Sequence, residues 1–176
     1  KIGMGWPERV DIINWINRIL SWEPNARIVL HGVSMGAATV LMASGEDLPG
    51  NVKAVIADCG YTSEWDEFQR ESEALHIPWF PVLNATSVLS KIRDGYDFKQ
   101  ASALAQVKKS RIPTLFIHGS SDELVPYSML GELYAAAACE KEELTVEGAG
   151  HALSSSVAPT LYWRTVEDFI AKYLDR

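Results

Sequence analysis

The segment with the clearest capacity for chemistry is Gly32-Val33-Ser34-Met35-Gly36, a G-x-S-x-G pattern around one serine. It directly follows the apolar run 28–30, and a stretch of small residues, 37–43, comes after it. A strand, a tight turn and a helix in this order form the setting in which the pattern presents a nucleophilic serine. Glycines suit such a sharp turn because they lack a Cβ atom. We therefore predict that Ser34 is a nucleophile, although a serine in a glycine-rich turn can also be only a helix cap.

A serine hydroxyl needs a base to take its proton and an acid to orient that base. For this type of turn the chain order is serine, acid, histidine. Asp122 comes just after the apolar segment 114–117, and His151 comes after the segment 144–146 in a glycine-flanked loop. Because the carboxyl ends of parallel strands meet at one edge of a sheet, we predict a catalytic triad of Ser34, Asp122 and His151.

Other residues compete for these roles. Glu123 is an alternative acid, and Asp58 is a second one because it also ends a predicted strand. His151 itself can be an ordinary loop histidine. His31 and His118 are predicted to be packed or hydrogen-bonded near the site, and His76 lies in the segment 61–111, the presumed cap.

An oxyanion hole needs two hydrogen-bond donors. The backbone N–H of Met35 is the predicted first donor, since it follows the nucleophile at a helix N-terminus. The second donor is expected from a loop earlier in the fold, for which this chain offers no candidate. Loss of one donor typically slows catalysis about 10²- to 10³-fold, so these residues alone are expected to be weakly active or inactive.

The elements that must position these groups alternate between strands and helices. Apolar strands alternating with helices predict an α/β protein with a parallel sheet covered by helices on both faces. The predicted strands are 28–30, 52–57, 114–117 and 144–146, and the predicted helices are 8–20, 35–44, 127–138 and 159–174.

The segment 61–111, between the second and third strands, is too long for a simple crossover. Pro78 and Pro81 are expected to break any helix there. One interpretation is a set of extra helices packed on the core. The other is a cap that covers Ser34 and shapes an apolar substrate pocket. The apolar residues that favour a cap include Trp79, Phe80 and Leu83.

Composition sets broader limits. The 176 residues suit one domain, and 47% hydrophobic and 22% charged residues are ordinary globular values. A net charge of −7 argues against nucleic-acid binding.

Cys59 and Cys139 make no disulfide framework, and no metal-ligand spacing occurs, so we predict neither metal nor cofactor. No apolar run is long enough to predict a membrane span, and a cytoplasmic location is favoured, although any targeting or anchor segment would precede Lys1.

Three segments together resemble the carboxyl-terminal part of an α/β-hydrolase, close to the bacterial prolyl-oligopeptidase-like and carboxylesterase branches. The resemblance implies Ser34 as nucleophile, Asp122 as acid and His151 as base. The matching residues are Gly32 to Gly36, Ile112 to Gly119 with Asp122, Val125 and Pro126, and Gly148 to His151.

The chain departs from that family in its number of strands. The family's sheet usually has about eight, with the serine strand in the centre, whereas four are predicted here. The remaining strands are expected before Lys1, which makes 1–176 a partial domain with 61–111 as its cap insertion. The serine strand then lies at an edge, where Ile28, Val29 and Leu30 face nothing on one side and are available to pair with another chain.

The combined prediction is a serine hydrolase acting on a small-molecule carboxylic ester through an acyl-enzyme. One alternative is a serine peptidase or acyl-peptide hydrolase acting on short acyl-peptides. The other is an inactive fragment or interaction module that lacks half of the oxyanion hole.

Overall fold

The computed structural model describes residues 3–174, which contain four strands and eight helices. No helix in this part of the chain combines the length and apolar character that crossing a membrane requires. In chain order the elements are α1 (Glu8–Trp22), β1 (Ile28–Val33), α2 (Met35–Ser44), β2 (Val52–Asp58), α3 (Glu64–Ala74), α4 (Trp79–Asp94), α5 (Ala103–Val107), β3 (Thr114–Gly119), α6 (Ser128–Ala136), β4 (Lys141–Val146), α7 (Ser154–Val157) and α8 (Pro159–Tyr173).

The four strands form one parallel sheet in the order β1-β2-β3-β4. Its register aligns the carboxyl ends: Val33 lies opposite Asp58, Asp58 opposite Ile117, and Ile117 opposite Leu144. The loops that follow the strands therefore gather at one edge of the sheet, as the predicted α/β architecture requires.

Side chains of the sheet alternate between two apolar clusters, because successive residues of a strand point to opposite faces. In β2, Ala54 and Ile56 pack with Tyr162 and Phe169 of α8. Val55 and Ala57 belong instead to the cluster that contains buried residues of α1, α2, α5 and α6. Helices therefore cover both faces, as predicted.

Several element boundaries differ from the sequence prediction by one to three residues. β4 begins at Lys141 rather than 144, because its first residues are polar and only half-buried or exposed, which conceals the strand pattern. The expected interruption of the helix at Pro81 is present. The backbone is non-helical at Phe80, so Pro81 starts the continuous part of α4, where its missing N–H removes no helical hydrogen bond.

Among residues 3–174, β1 has a single neighbouring strand and thus lies at the edge of the sheet. The side chains of Ile28 and Leu30 are nevertheless buried, and Val29 packs against the cluster on the opposite face. The predicted edge position of β1 is thus confirmed within residues 3–174, while helices on the two faces of the sheet bury the side chains of the strand.

Candidate active site at the carboxyl ends of the strands

Ser34 occupies the sharp turn between β1 and α2. Its backbone has φ 55° and ψ −119°, an unusual conformation for a residue with a side chain. The Ser34 N–H donates to the Asp58 carbonyl at 2.8 Å. A Cβ atom at Gly32 would lie 2.2 Å from the Gly36 carbonyl oxygen, whereas one at Gly36 would meet nothing within 4 Å. The close backbone approach thus requires glycine at position 32 alone.

The structure brings the three predicted catalytic side chains together. Ser34 Oγ lies 2.7 Å from His151 Nε2, and His151 Nδ1 lies 2.9 Å from Asp122 Oδ2. The Asp122 carboxylate accepts a hydrogen bond from the Nδ1–H group of His151. The other ring nitrogen, Nε2, is then free to accept the proton of the Ser34 hydroxyl. This arrangement has the hydrogen-bond connections that a serine, its base and an orienting acid require.

The Asp122 carboxylate is held by several donors. Its Oδ1 accepts the backbone N–H groups of Leu124 at 3.0 Å and Val125 at 2.9 Å. Its Oδ2 lies 3.3 Å from His118 Nε2, which also lies 3.0 Å from the Val125 carbonyl. His118 is thus hydrogen-bonded beside the site, as predicted. Because the Asp122 side chain is fully buried, these contacts fix the orientation of the oxygen that meets His151.

The loop that carries His151 is pressed against the end of β3. A Cβ atom at Gly119 would lie 2.2 Å from the Ala149 carbonyl oxygen, which accepts the Ser121 N–H at 3.0 Å. Gly148 has φ 73°, a conformation that glycine adopts readily. The glycines at 119 and 148 therefore let the histidine loop turn back over the Asp122 loop.

The competing acids have other environments. Glu123 is exposed. Asp58 is buried and accepts a hydrogen bond from Ser154 Oγ at 3.2 Å, and burial raises its pKa against the lowering effect of hydrogen bonds from Ser154 and Tyr162. The Tyr162 hydroxyl lies 3.0 Å from His31 Nε2. The sequence predictions did not include Ser154 and Tyr162 in this network, because neither lies in a recognisable motif.

One group of potential metal ligands occurs within residues 3–174. Donor atoms of Cys59, Asp122 and His151 lie within 4.8 Å of one another. Asp122 and His151 are already joined by a hydrogen bond, and burial raises the pKa of the Cys59 thiol to about 12. Since a metal binds the thiolate, this environment suits a buried neutral thiol better than a ligand.

The predicted oxyanion donor also has the expected position. Met35 is the first residue of α2, so its backbone N–H lies at the N-terminus of that helix, next to Ser34. Unpaired N–H groups and the helix dipole favour developing negative charge there.

Comparison with known proteins identifies the family of the chain. The model of the prolyl oligopeptidase family matches residues 9–176. The chain belongs to that family. It is therefore a member of a serine hydrolase family, in agreement with the resemblance in the sequence.

A curated protein with a similar sequence is YqkD of Bacillus subtilis, which is 31% identical over 163 residues, covering 91% of this chain and 53% of YqkD. The chain spans about half the length of the curated relatives it matches.

Two solved structures share the fold at low identity. An acylaminoacyl peptidase from Pyrococcus horikoshii has a TM-score of 0.74 and 20% identity, over 98% of this chain and 29% of that one. The esterase Pf2001 from Pyrococcus furiosus has a TM-score of 0.72 and 19% identity, over 99% of this chain and 65% of that one. These likenesses establish an α/β-hydrolase-like fold.

Proposed function

We propose that this chain carries the catalytic triad of a serine hydrolase that cleaves carboxylic esters. The observation that carries the proposal is the continuous hydrogen-bonded chain from Ser34 through His151 to Asp122, with heavy-atom distances of 2.7 and 2.9 Å. A histidine ring far from the serine would have favoured the alternative of an inactive fragment or interaction module, so the short distance supports the hydrolase.

The reaction follows from the positions of the three groups. Ser34 Oγ attacks the acyl carbonyl carbon while His151 Nε2 accepts its proton, and Asp122 stabilises the resulting imidazolium. The tetrahedral intermediate collapses as the imidazolium returns the proton to the departing alkoxide, which leaves as the alcohol. Water, deprotonated by His151, then attacks the acyl-enzyme and releases the carboxylic acid and free Ser34.

The Met35 backbone N–H is the proposed donor to the oxyanion of the tetrahedral intermediate. It is fixed at the start of α2, so it does not need to reorganise as charge develops. We propose that a loop earlier in the fold supplies the second hydrogen-bond donor to the oxyanion.

The cap predicted for 61–111 bears on the choice of substrate. Trp79 is half-buried and Phe80 is 65% exposed, so both can contact an apolar acyl group, whereas Leu83 is buried against the protein. Apolar side chains on the proposed cap favour an ester with an apolar acyl or aryl group. A short acyl-peptide is the second candidate substrate, favoured by membership of a peptidase family and the likeness to an acylaminoacyl peptidase fold.

The proposal is tested with a fluorophosphonate probe followed by peptide mapping. We expect the probe to label Ser34 in the folded chain and not in Ser34→Ala. Ser21→Ala, which removes a serine hydroxyl on α1, serves as the matched control and should label like the unchanged chain. A folded chain that is unlabelled, or labelled equally in Ser34→Ala, contradicts the proposal. Comparing kcat/KM for p-nitrophenyl butyrate and an N-acyl-peptide anilide then separates the two substrate classes.

A further inference from the structure

Helix α4 is attached to the protein by a face that is largely polar. Its buried residues are Leu83, Ser87 and Ser90. Ser87 Oγ accepts the Phe98 N–H at 3.0 Å, and Ser90 Oγ donates to the Tyr96 carbonyl at 3.0 Å. These serines hold the loop that follows the helix, so the inner face of α4 binds its neighbours mainly through hydrogen bonds.

The outer face of the same helix is apolar. Val88 and Leu89 are more than half exposed, and Ile92 is 79% exposed. Ala85, one turn closer to the N-terminus of the helix, is exposed as well. An amphipathic helix at a protein surface normally shows the opposite arrangement, with its apolar stripe toward the core. The reversal in α4 therefore indicates that its outer face contacts something other than water.

The spacing of the outer residues suits another helix. Pro81, Ala85, Val88 and Ile92 follow one another at intervals of four, three and four, which is the a/d pattern of a helix–helix seam. Ala85 is small enough to let a second helix approach closely in the middle of the stripe.

The apolar patch is as large as one side of a stable interface. Val82 of α4 and Leu75 and Ile77 of the segment before it are also exposed. Together with the other exposed apolar residues of α4 they expose on the order of 700 Å², which approaches the roughly 800 Å² per partner of a standard interface.

We propose that this surface is the interface of a homodimer in which two copies of α4 pack antiparallel across a two-fold axis. Across a two-fold axis the same patch of each copy covers that of the other. The antiparallel arrangement also places the N-terminus of each helix beside the C-terminus of its partner, which is favourable for the helix dipoles. The charges beside the stripe are mixed, since Lys91 forms an ion pair with Asp97 at 3.0 Å and Arg93 adjoins Asp94. A mixed edge on a chain of net charge −7 fits a second copy better than an anionic lipid surface.

The first test is sedimentation equilibrium of the 176-residue chain over a range of concentrations. We expect a dimer whose dissociation constant rises at least 10-fold in Leu89→Glu and in Ile92→Glu, since each buries a charge at the seam. Val10→Glu, at a half-exposed aliphatic residue of α1, is the matched control and should leave the equilibrium unchanged. Circular dichroism establishes that each variant is folded.

The second test is cross-linking in a Cys139→Ser background. The antiparallel seam places residue 85 of one copy opposite residue 88 of the other, so Ala85→Cys combined with Val88→Cys should oxidise to a covalent dimer. Either substitution alone should do so much less, because disulfides need closely apposed Cβ atoms. A chain that stays monomeric throughout overturns the proposal, as does a dimer unaffected by both glutamate variants. A monomer that co-sediments with phosphatidylcholine vesicles also overturns it, and assigns the patch to a lipid surface.

Discussion

Buried polar side chains are well hydrogen-bonded at the edge of the sheet that holds Ser34, whereas several of those on α3 are not. At the strand ends, Asp122 contacts two backbone donors and two histidines, and His151 uses both ring nitrogens. On α3, by contrast, three buried side-chain atoms have no hydrogen-bond partner within residues 3–174: Glu64 Oε2, Glu67 Oε2 and Arg70 Nε.

The difference in hydrogen bonding matches a difference in the need for rigidity: the side chains at the strand ends must be held in place, and those on α3 need not be. A reacting side chain must be held in productive geometry, and several simultaneous hydrogen bonds achieve this. An unsatisfied buried polar atom costs about 1–3 kcal/mol, so α3 adds less to stability than its burial suggests. We therefore expect substitutions at the strand ends to act on chemistry or folding, and those on α3 to act through pH and stability.

The largest effect is expected for Asp122→Asn. The amide can keep the contacts with the Leu124 and Val125 N–H groups, yet it stabilises the imidazolium poorly and favours the wrong histidine tautomer. We expect kcat/KM for an ester to fall about 10³-fold or more with little change in stability. The control is Glu123→Gln at the neighbouring exposed carboxylate, which should change activity by less than about 2-fold, as is usual for surface positions. Equal losses in both variants would contradict the assignment of Asp122 as the acid.

A second prediction compares the two glycines of the serine turn. Gly32→Ala places a Cβ atom 2.2 Å from a backbone oxygen that cannot move away cheaply, so we expect a loss of about 3 kcal/mol or more in the free energy of unfolding. Gly36→Ala meets nothing and should stabilise α2 by up to about 1 kcal/mol. Urea unfolding of both variants measures the contrast. Similar effects at the two positions would show that the turn does not have this backbone geometry.

A smaller effect concerns the pH dependence of stability. Burial, chiefly, raises the pKa of Glu64 from 4.5 to about 8, so between these values the folded chain holds a proton that the unfolded chain has released. The contribution of Glu64 to stability is therefore complete below pH 4.5 and falls as the pH rises to about 8. We expect Glu64→Gln to reduce the loss of stability between pH 5 and 8 by about 3 kcal/mol, because glutamine does not ionise.

The measurement is urea unfolding at several pH values, with Glu132→Gln on the exposed side of α6 as the control. Burial also raises the pKa of Glu67. The free energy of unfolding of Glu64→Gln should therefore still fall with rising pH, but less than that of the unchanged chain. If Glu64→Gln and Glu132→Gln have the same pH dependence as the unchanged chain, Glu64 does not hold this proton.

Much of the architecture could be predicted from local patterns. The apolar run before Ser34 predicts β1, the small residues after it predict α2 with its observed bounds, and the stripe of α8 is clear from helical spacing. α5 and α7 are too short to produce such a pattern. The cap boundaries proposed for 61–111 stay a prediction, although Ala103 and Val107 of α5 are buried in the same cluster as α2.

The sequence by itself determined the fold class, the family and the order of the three candidate catalytic residues, because strand periodicity and the serine turn depend on neighbouring residues. Only the tertiary structure decided which carboxylate meets His151. Asp58 ends one buried strand and Asp122 follows another, and the register that places one beside Ser154 and the other beside His151 depends on contacts between distant residues. The outward apolar face of α4 is likewise visible only in three dimensions, because helical spacing predicts a stripe but not the side on which the protein lies.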